Sequence, residues 1–258
     1  MHDEFLEVTE KVGDPVTRIQ LTDMYHRYRW AAEYSRGKRV FEAACGTGQG
    51  LGLLARYAGQ LSAGDVAPAA VEIAERTYGG QIQISVIDAH RLPQGDGEVD
   101  VVILFEAIYY LSSPDAFLRE SARVLAPRGH VLLTMTNKDV RGFVPSVLSR
   151  TYLGVPELAR LLARNGFVGK FSGYSRLEET PLRQRLAQPL KLVAHRFGLL
   201  PRRMQGKALL RRLLFGRLLE MPADISSFAA PYAEPKGLSP TEANTEYRYI
   251  FCAAQKMD

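Results

Sequence analysis

A chain of 258 residues, 46% of them hydrophobic, is long enough to bury one full core with additions. Its two cysteines, Cys45 and Cys252, exclude a disulfide framework. No apolar run reaches the length of a spanning helix, and Met1-His2-Asp3-Glu4 lacks the basic start of a secretion signal, so a cytoplasmic setting is expected. The formal charge of +5 is mild but unevenly placed.

Residues 1–20 are mixed and polar, broken by Gly13 and Pro15, and read as a flexible leader. A helix follows from Leu21 to Ser35, with Thr22 or Asp23 as its cap and Met24, Tyr28, Ala31 and Ala32 as its apolar stripe. The stretch from Val40 to Gly50 organises the rest: a strand over 38–43, a turn at Gly46 and Gly48, and a helix over 49–58. Glycine there lets the backbone turn sharply and approach a ligand that a Cβ would obstruct. Glu42 gives the loop a negative entrance, useless to a pyrophosphate and useful to a ligand with a cationic amino group. The dinucleotide spacing G-x-G-x-x-G also fails, because Leu51 follows where the third glycine is wanted. A NAD-dependent oxidoreductase is therefore the disfavoured alternative.

The next strand, 61–65, ends on Asp65, where a carboxylate would accept both ribose hydroxyls. A helix over 68–77 and a strand over 82–86 lead to Asp88-Ala89-His90. Residues 99–105 form a near-continuous apolar strand of the kind buried on both faces. Ser113-Pro114-Asp115 opens a helix through Phe117, Leu118, Ala122 and Leu125. A turn at Pro127-Arg128-Gly129 precedes a strand from His130 to Met135. A helix from Pro156 to Asn165 stops at Gly166, a strand spans Phe167 to Phe171, and Glu246 to Ala253 alternates as a last strand. Such alternation implies a parallel sheet with helices on both faces.

Glu42-Ala43-Ala44-Cys45-Gly46-Thr47-Gly48, Gly64-Asp65-Val66-Ala67-Pro68, Asp88-Ala89-His90 and Asp100 through Glu106, in this order and spacing, resemble class I S-adenosylmethionine-dependent methyltransferases over roughly residues 38 to 172. The resemblance implies a Rossmann-like seven-stranded, mostly parallel sheet with helices on both faces. It adds an N-terminal lid helix, a helical insertion before the last strand, and that strand lying antiparallel beside the fifth. Residues 1–36 would be leader and lid, 37–172 the cofactor-binding core, 173–245 the insertion, and 246–258 the return to the core. The implied cofactor is S-adenosyl-L-methionine, held by Arg29, Glu42, Ala44, Gly46, Thr47, Gly48, Asp65, Val66, Asp88, Ala89, Phe105 and Glu106. Glu42 and the glycine loop take the methionine part, Asp65 the ribose, and Asp88 with the Ala89 amide the adenine. Arg29 or Arg27 meets the cofactor's carboxylate, or both arginines simply lie in solvent on a packed helix. The family usually has glycine where this chain has Ala44, the mildest replacement.

The insertion is crowded with base: Arg176, Arg183, Arg185, Lys191, Arg196, Arg202, Arg203, Lys207, Arg211, Arg212 and Arg217, against few acids. Apolar residues recur there at helical spacing, Leu186, Leu190 and Val193, then Leu210, Leu213, Leu214 and Leu218. Three readings stay open: packed helices with solvated arginines, a positive wall for a phosphorylated or anionic acceptor, and peripheral membrane contact. No base-stacking module accompanies the charge, so nucleic acid is not expected as a partner.

A hydroxyl nucleophile needs its proton removed as the methyl arrives. Tyr109, after the 99–105 strand, is the catalytic candidate on the rim, with Glu106 beside the methionine end and Tyr110 as core. His26 is placed for a base if its helix is the lid. His90 either faces the cofactor or caps its loop. Asn137, Lys138 and Asp139 lie at the carboxyl edge, where they could orient an acceptor. No His/carboxylate spacing argues for a metal. The expected reaction is methyl transfer to oxygen or nitrogen of a small molecule, with a sugar or secondary-metabolite intermediate as favoured acceptor. A non-catalytic cofactor-binding partner protein is the other alternative.

Overall fold

The computed structural model describes residues 9–177 and 218–258. In chain order the elements are β1 (Pro15–Val16), α1 (Arg18–Ser35), β2 (Arg39–Ala43), α2 (Leu51–Ala55), β3 (Gln60–Asp65), α3 (Pro68–Tyr78), β4 (Gln83–Val86) and β5 (Val99–Phe105). There follow α4 (Pro114–Val124), β6 (Leu125–Thr136), α5 (Val155–Arg164), β7 (Phe167–Arg176), β8 (Leu219–Glu220), β9 (Lys236–Gly237) and β10 (Tyr247–Lys256).

The main sheet has the order β4-β3-β2-β5-β6-β10-β7-β9. Strands β4 to β6 pair in parallel, while β10 runs antiparallel between β6 and β7. Apart from the two-residue edge strand β9, this is the expected seven-stranded sheet. The strand order reverses between β2 and β5, and a ligand crevice opens at the carboxyl ends beside such a reversal.

Strand β5 shows why the sheet is double-faced. Val101, Ile103 and Phe105 pack with α1 and α2, through Leu21, Met24, Tyr28, Trp30, Leu53 and Leu54. Val102 and Leu104 pack on the other face with Phe117, Leu118, Leu158 and Leu162 of α4 and α5. Each such fully buried side chain contributes about 1.5–3 kcal/mol.

Several boundaries differ from expectation, each for a local reason. Helix α1 begins at Arg18, not Leu21, because Thr17 and Gln20 form a capping box: Gln20 N–H donates to Thr17 Oγ1 at 3.2 Å and Thr17 N–H to Gln20 Oε1 at 3.0 Å. Thr22 and Asp23 lie inside the helix. The stretch from Thr9 to Thr17 is not a free leader. β1 pairs with β8, Gly13 N–H donates to the Met221 carbonyl, and Val16 is fully buried. Strand β6 starts at Leu125, its register shifting between Val99 and Val101 of β5 and its backbone turning at Arg128 with φ 60°. Strand β7 runs to Arg176 because β10 pairs with it along its length. Of the expected insertion, residues 178–217, with most of its basic side chains, lie outside the described residues. Among the described residues no helix is long and apolar enough to cross a membrane.

Candidate active site

The crevice is built from the carboxyl ends of β2, β3 and β5. Glu42, near the end of β2, is 1% exposed. Its Oε1 accepts the Tyr28 hydroxyl at 2.7 Å, and its Oε2 is buried with no partner. Burial pushes this carboxyl up to about 8, while the Tyr28 hydrogen bond and the Arg27 charge pull it back down. A buried carboxylate oxygen is ordinarily satisfied, so Oε2 is a place made for a donor.

Past Glu42 the chain turns through left-handed conformations at Ala44 (φ 56°), Gly46 (φ 57°) and Gly48 (φ 83°). The loop is pinned from β3: Asp65 accepts Gly46 N–H at 2.8 Å on Oδ2 and Ala67 N–H at 2.9 Å on Oδ1. Burial raises the Asp65 carboxyl and these backbone donors oppose the rise. Thr47 is fully buried, its hydroxyl donating to the Glu10 carbonyl at 3.3 Å, and the Gln49 amide donates to the same oxygen at 2.7 Å. The segment from Thr9 to Lys11 thus crosses the loop, and the Thr9 methyl would lie 3.1 Å from a Cβ at Gly46.

Val66 is half-buried behind Asp65. Asp88 is largely exposed and accepts from His90, whose backbone N–H lies 2.9 Å and Nδ1 2.6 Å from Oδ1; Ala89 is buried. The other His90 nitrogen accepts Ser113 N–H at 3.2 Å, so His90 ties two loops together rather than facing the crevice. At the end of β5 the Phe105 ring meets Tyr28 edge-on at 5.4 Å. Glu106 follows with φ 49°; its Oε2 accepts from Tyr109 at 3.1 Å and Thr136 at 3.0 Å, and its Oε1 is buried without a partner.

Residues 41–133 match the methyltransferase domain family. Over this stretch the chain is similar to class I S-adenosylmethionine-dependent methyltransferases. The ubiquinone biosynthesis O-methyltransferase of Xanthomonas oryzae is 31% identical over 135 residues, 50% of this chain and 53% of the relative. The phthiotriol/phenolphthiotriol dimycocerosates methyltransferase 1 of Mycobacterium ulcerans is 33% identical over 132 residues, 50% of this chain and 48% of the relative. The chain thus spans about half the length of the curated relatives it matches. Among solved structures, the [4+2]-cyclase SpnF aligns over 96% of this chain and 89% of its own at TM-score 0.60 and 21% identity. A methyltransferase from Archaeoglobus fulgidus aligns over 92% and 94% at TM-score 0.59 and 15% identity. At such identities the likeness shows the fold.

The crevice fits S-adenosylmethionine, the cofactor that this similarity implies. The unpartnered Glu42 oxygen suits an ammonium, and the Asp65 oxygens keep lone pairs for hydroxyls beyond the two backbone donors they hold. Helix α1 does lie over it, but two side chains fall elsewhere than the sequence suggests. Arg29 turns away: it pairs with Glu33 and lies over the rings of Tyr57 at 5.3 Å and Tyr232 at 5.4 Å. Arg27 is the arginine whose charge faces Glu42, Glu106 and Glu10, and these carboxylates together with Tyr249 outweigh burial and hold it firmly cationic. His26 is 2% exposed and lies between Tyr174 and Tyr232. Its Nδ1 donates to the Thr22 carbonyl at 2.7 Å, and its Nε2 lies 3.0 Å from Ala233 N–H and 3.1 Å from the Pro231 carbonyl. With both ring nitrogens occupied by backbone groups, it clamps α1 to the segment after β8 and is not set up as a base.

Tyr109 does reach the expected rim, yet as a donor to Glu106; burial, then the Glu106 charge, raises its hydroxyl well above the usual tyrosine range. Asn137 is fully buried, bonding the carbonyls of Asn244 and Tyr247, and Lys138 pairs with Asp139 and Glu157. These hold the β6 loop together. Among the described residues no three His, Cys, Asp or Glu side chains gather as a metal site. Sequence reasoning missed Thr136 as a holder of Glu106, and the Thr9–Lys11 strap. The first was signalled only by its place at the end of the strand beside β5.

Proposed function

We propose that this protein transfers the methyl group of S-adenosylmethionine to a hydroxyl oxygen of a small molecule of secondary-metabolite type. The observation that carries this is the unpartnered Glu42 oxygen beside the glycine turn, with the Arg27 charge close by: a hydrogen-bond acceptor for the ammonium end and a cation for the carboxylate end of an amino acid. Asp65 would take the ribose and Glu42 the ammonium. When bound, the cofactor supplies an electrophilic methyl group. The protein's task is then to align the acceptor in a water-poor crevice, worth on the order of 7–11 kcal/mol in favourable cases. The names of the two curated relatives, an O-methyltransferase of ubiquinone biosynthesis and a methyltransferase of phthiotriol dimycocerosates, favour oxygen over nitrogen. They also favour a metabolite over the sugar.

The SpnF neighbour shows that the same fold is found in a cyclase, so fold alone does not decide the reaction. Methyl-tritiated S-adenosylmethionine and a panel of phenols, sugars and amines decide it. Label in a hydroxylated acceptor supports the proposal. Binding of the cofactor with no labelled product from any acceptor contradicts it.

A further inference from the structure

The geometry points to Glu106 as the group that takes the acceptor's proton, and to an aromatic hydroxyl as the acceptor. This inference rests on the methyl-transfer reading above.

Glu106 leaves β5 in a left-handed conformation, φ 49°, with its N–H donating to the Thr134 carbonyl at 2.9 Å. A residue with a Cβ adopts this conformation at a cost of about 1–2 kcal/mol, and such strain persists where the surroundings enforce it, often at active sites. The carboxylate is then fixed at one end only. Tyr109 and Thr136, from two different elements, both donate to Oε2, and Oε1 is left buried and unpartnered. A side chain locked by its neighbours with one acceptor atom open is how a positioned base is built. Two further carboxylates among the described residues keep an unpartnered oxygen: Glu42 lies at the glycine loop and is engaged by Tyr28, and Asp139, after β6, is paired with Lys138.

The wall beside Glu106 is aromatic. Tyr109 stacks on Tyr152 with centroids 4.4 Å apart and planes at 22°, and Tyr110 meets Tyr109 edge-on at 4.7 Å. Phe143 meets Tyr152 edge-on at 4.6 Å, and Tyr110, Phe143 and Tyr152 are each only half-buried. Such faces accept a flat ring by offset or edge contact, whereas a sugar needs several convergent hydrogen-bonding groups. In the step, the acceptor's O–H bond breaks and its proton passes to Glu106 Oε1. The oxygen's electron pair forms the new bond to the methyl carbon, and the pair of the broken carbon–sulfur bond stays on sulfur, which becomes neutral. The carboxylic acid afterwards returns its proton to water.

The test uses the full chain, methyl-tritiated S-adenosylmethionine, and catechol, protocatechuate and methyl glucoside as probes, with S-adenosylhomocysteine binding measured by calorimetry. Label enters a phenol and not the glucoside. Glu106→Gln lowers kcat about 100-fold, the range of a lost acid–base group, while the phenol KM and the S-adenosylhomocysteine Kd change less than about threefold. Glu106→Asp, whose residue type tolerates the left-handed backbone better, keeps the fold and also loses most of kcat because its carboxylate falls short. The inference is overturned by label in the glucoside alone, by no labelled phenol while S-adenosylhomocysteine binds, or by full kcat in Glu106→Gln. It is overturned too if Glu106→Gln loses S-adenosylhomocysteine affinity more than about tenfold, which would make Glu106 a cofactor ligand. A wild-type protein that binds no S-adenosylhomocysteine instead removes the methyl-transfer reading on which this one stands.

Discussion

Tyr28 donates its hydroxyl to Glu42 Oε1 at 2.7 Å, joining the middle of α1 to the end of β2 across the glycine loop. The Tyr28 ring also lies where a Cβ at Gly50 would be, so the loop can pass under α1 only with glycine there. Gly50→Ala should push the ring off Glu42, destabilising the fold by roughly 1–3 kcal/mol as overpacking does and weakening S-adenosylhomocysteine binding. Urea denaturation and calorimetry read both; an unchanged variant would mean that α1 does not cover the loop.

The Glu42 carboxyl makes stability depend on pH. Its folded value, about 8, stands above its ordinary 4.5 because of burial, so between these values the folded chain binds more protons than the unfolded one. Its contribution is present below 4.5 and is lost as pH rises through about 8. Asp23, raised from 3.8 to about 6 mainly by burial, adds the same sign at lower pH, and His130, lowered by burial, adds the opposite one. The readout is therefore a difference: from pH 5 to pH 8.5 the melting temperature of Glu42→Gln should fall less than that of wild type. Parallel curves would contradict the buried, protonated state.

Ala44 occupies a left-handed position, φ 56°, that costs a residue with a Cβ about 1–2 kcal/mol. Ala44→Gly removes this strain and adds unfolded-chain entropy of about 0.5–1 kcal/mol. The variant should gain up to about 1 kcal/mol in urea denaturation. A clear loss would show that the Ala44 methyl is held by contacts that outweigh the strain.

The two arginines of α1 should separate cleanly. Arg27→Gln should weaken S-adenosylhomocysteine roughly tenfold or more, as loss of a charged hydrogen bond of about 1.5–3 kcal/mol does. It should leave methylthioadenosine, which lacks the amino-acid end, unaffected. Arg29→Gln should leave both alone. The reverse pattern would restore the reading made from sequence.

Position in the fold is legible from sequence where chemistry fixes spacing, and side-chain direction is not where helix rotation decides it. Glu42, Gly46, Gly48 and Asp65 are legible because a strand end, a tight turn and a second strand end have set separations. The run from Tyr25 to Trp30 gives no such guide: two residues of helix rotation, about 200°, separate Arg27, over the crevice, from Arg29, over Tyr57. His26 is satisfied by Ala233, more than two hundred residues away in sequence, and no local pattern announces that contact. The start of α1 was legible in Thr17 and Gln20, whose spacing is that of a capping box. Glu106 was visible as a strand-end acid, but its two holders, Tyr109 and Thr136, come together only once β5 and β6 pair.

The central claim is that the ends of β2 and β3 with the glycine turn hold an adenosyl amino acid. Calorimetric titration of the full chain with S-adenosylhomocysteine, and separately with NAD, tests it most directly. The account predicts saturable binding of one equivalent of S-adenosylhomocysteine, weakened in Glu42→Gln with the fold retained, and none of NAD. No heat with S-adenosylhomocysteine, or equal binding of NAD, would contradict it.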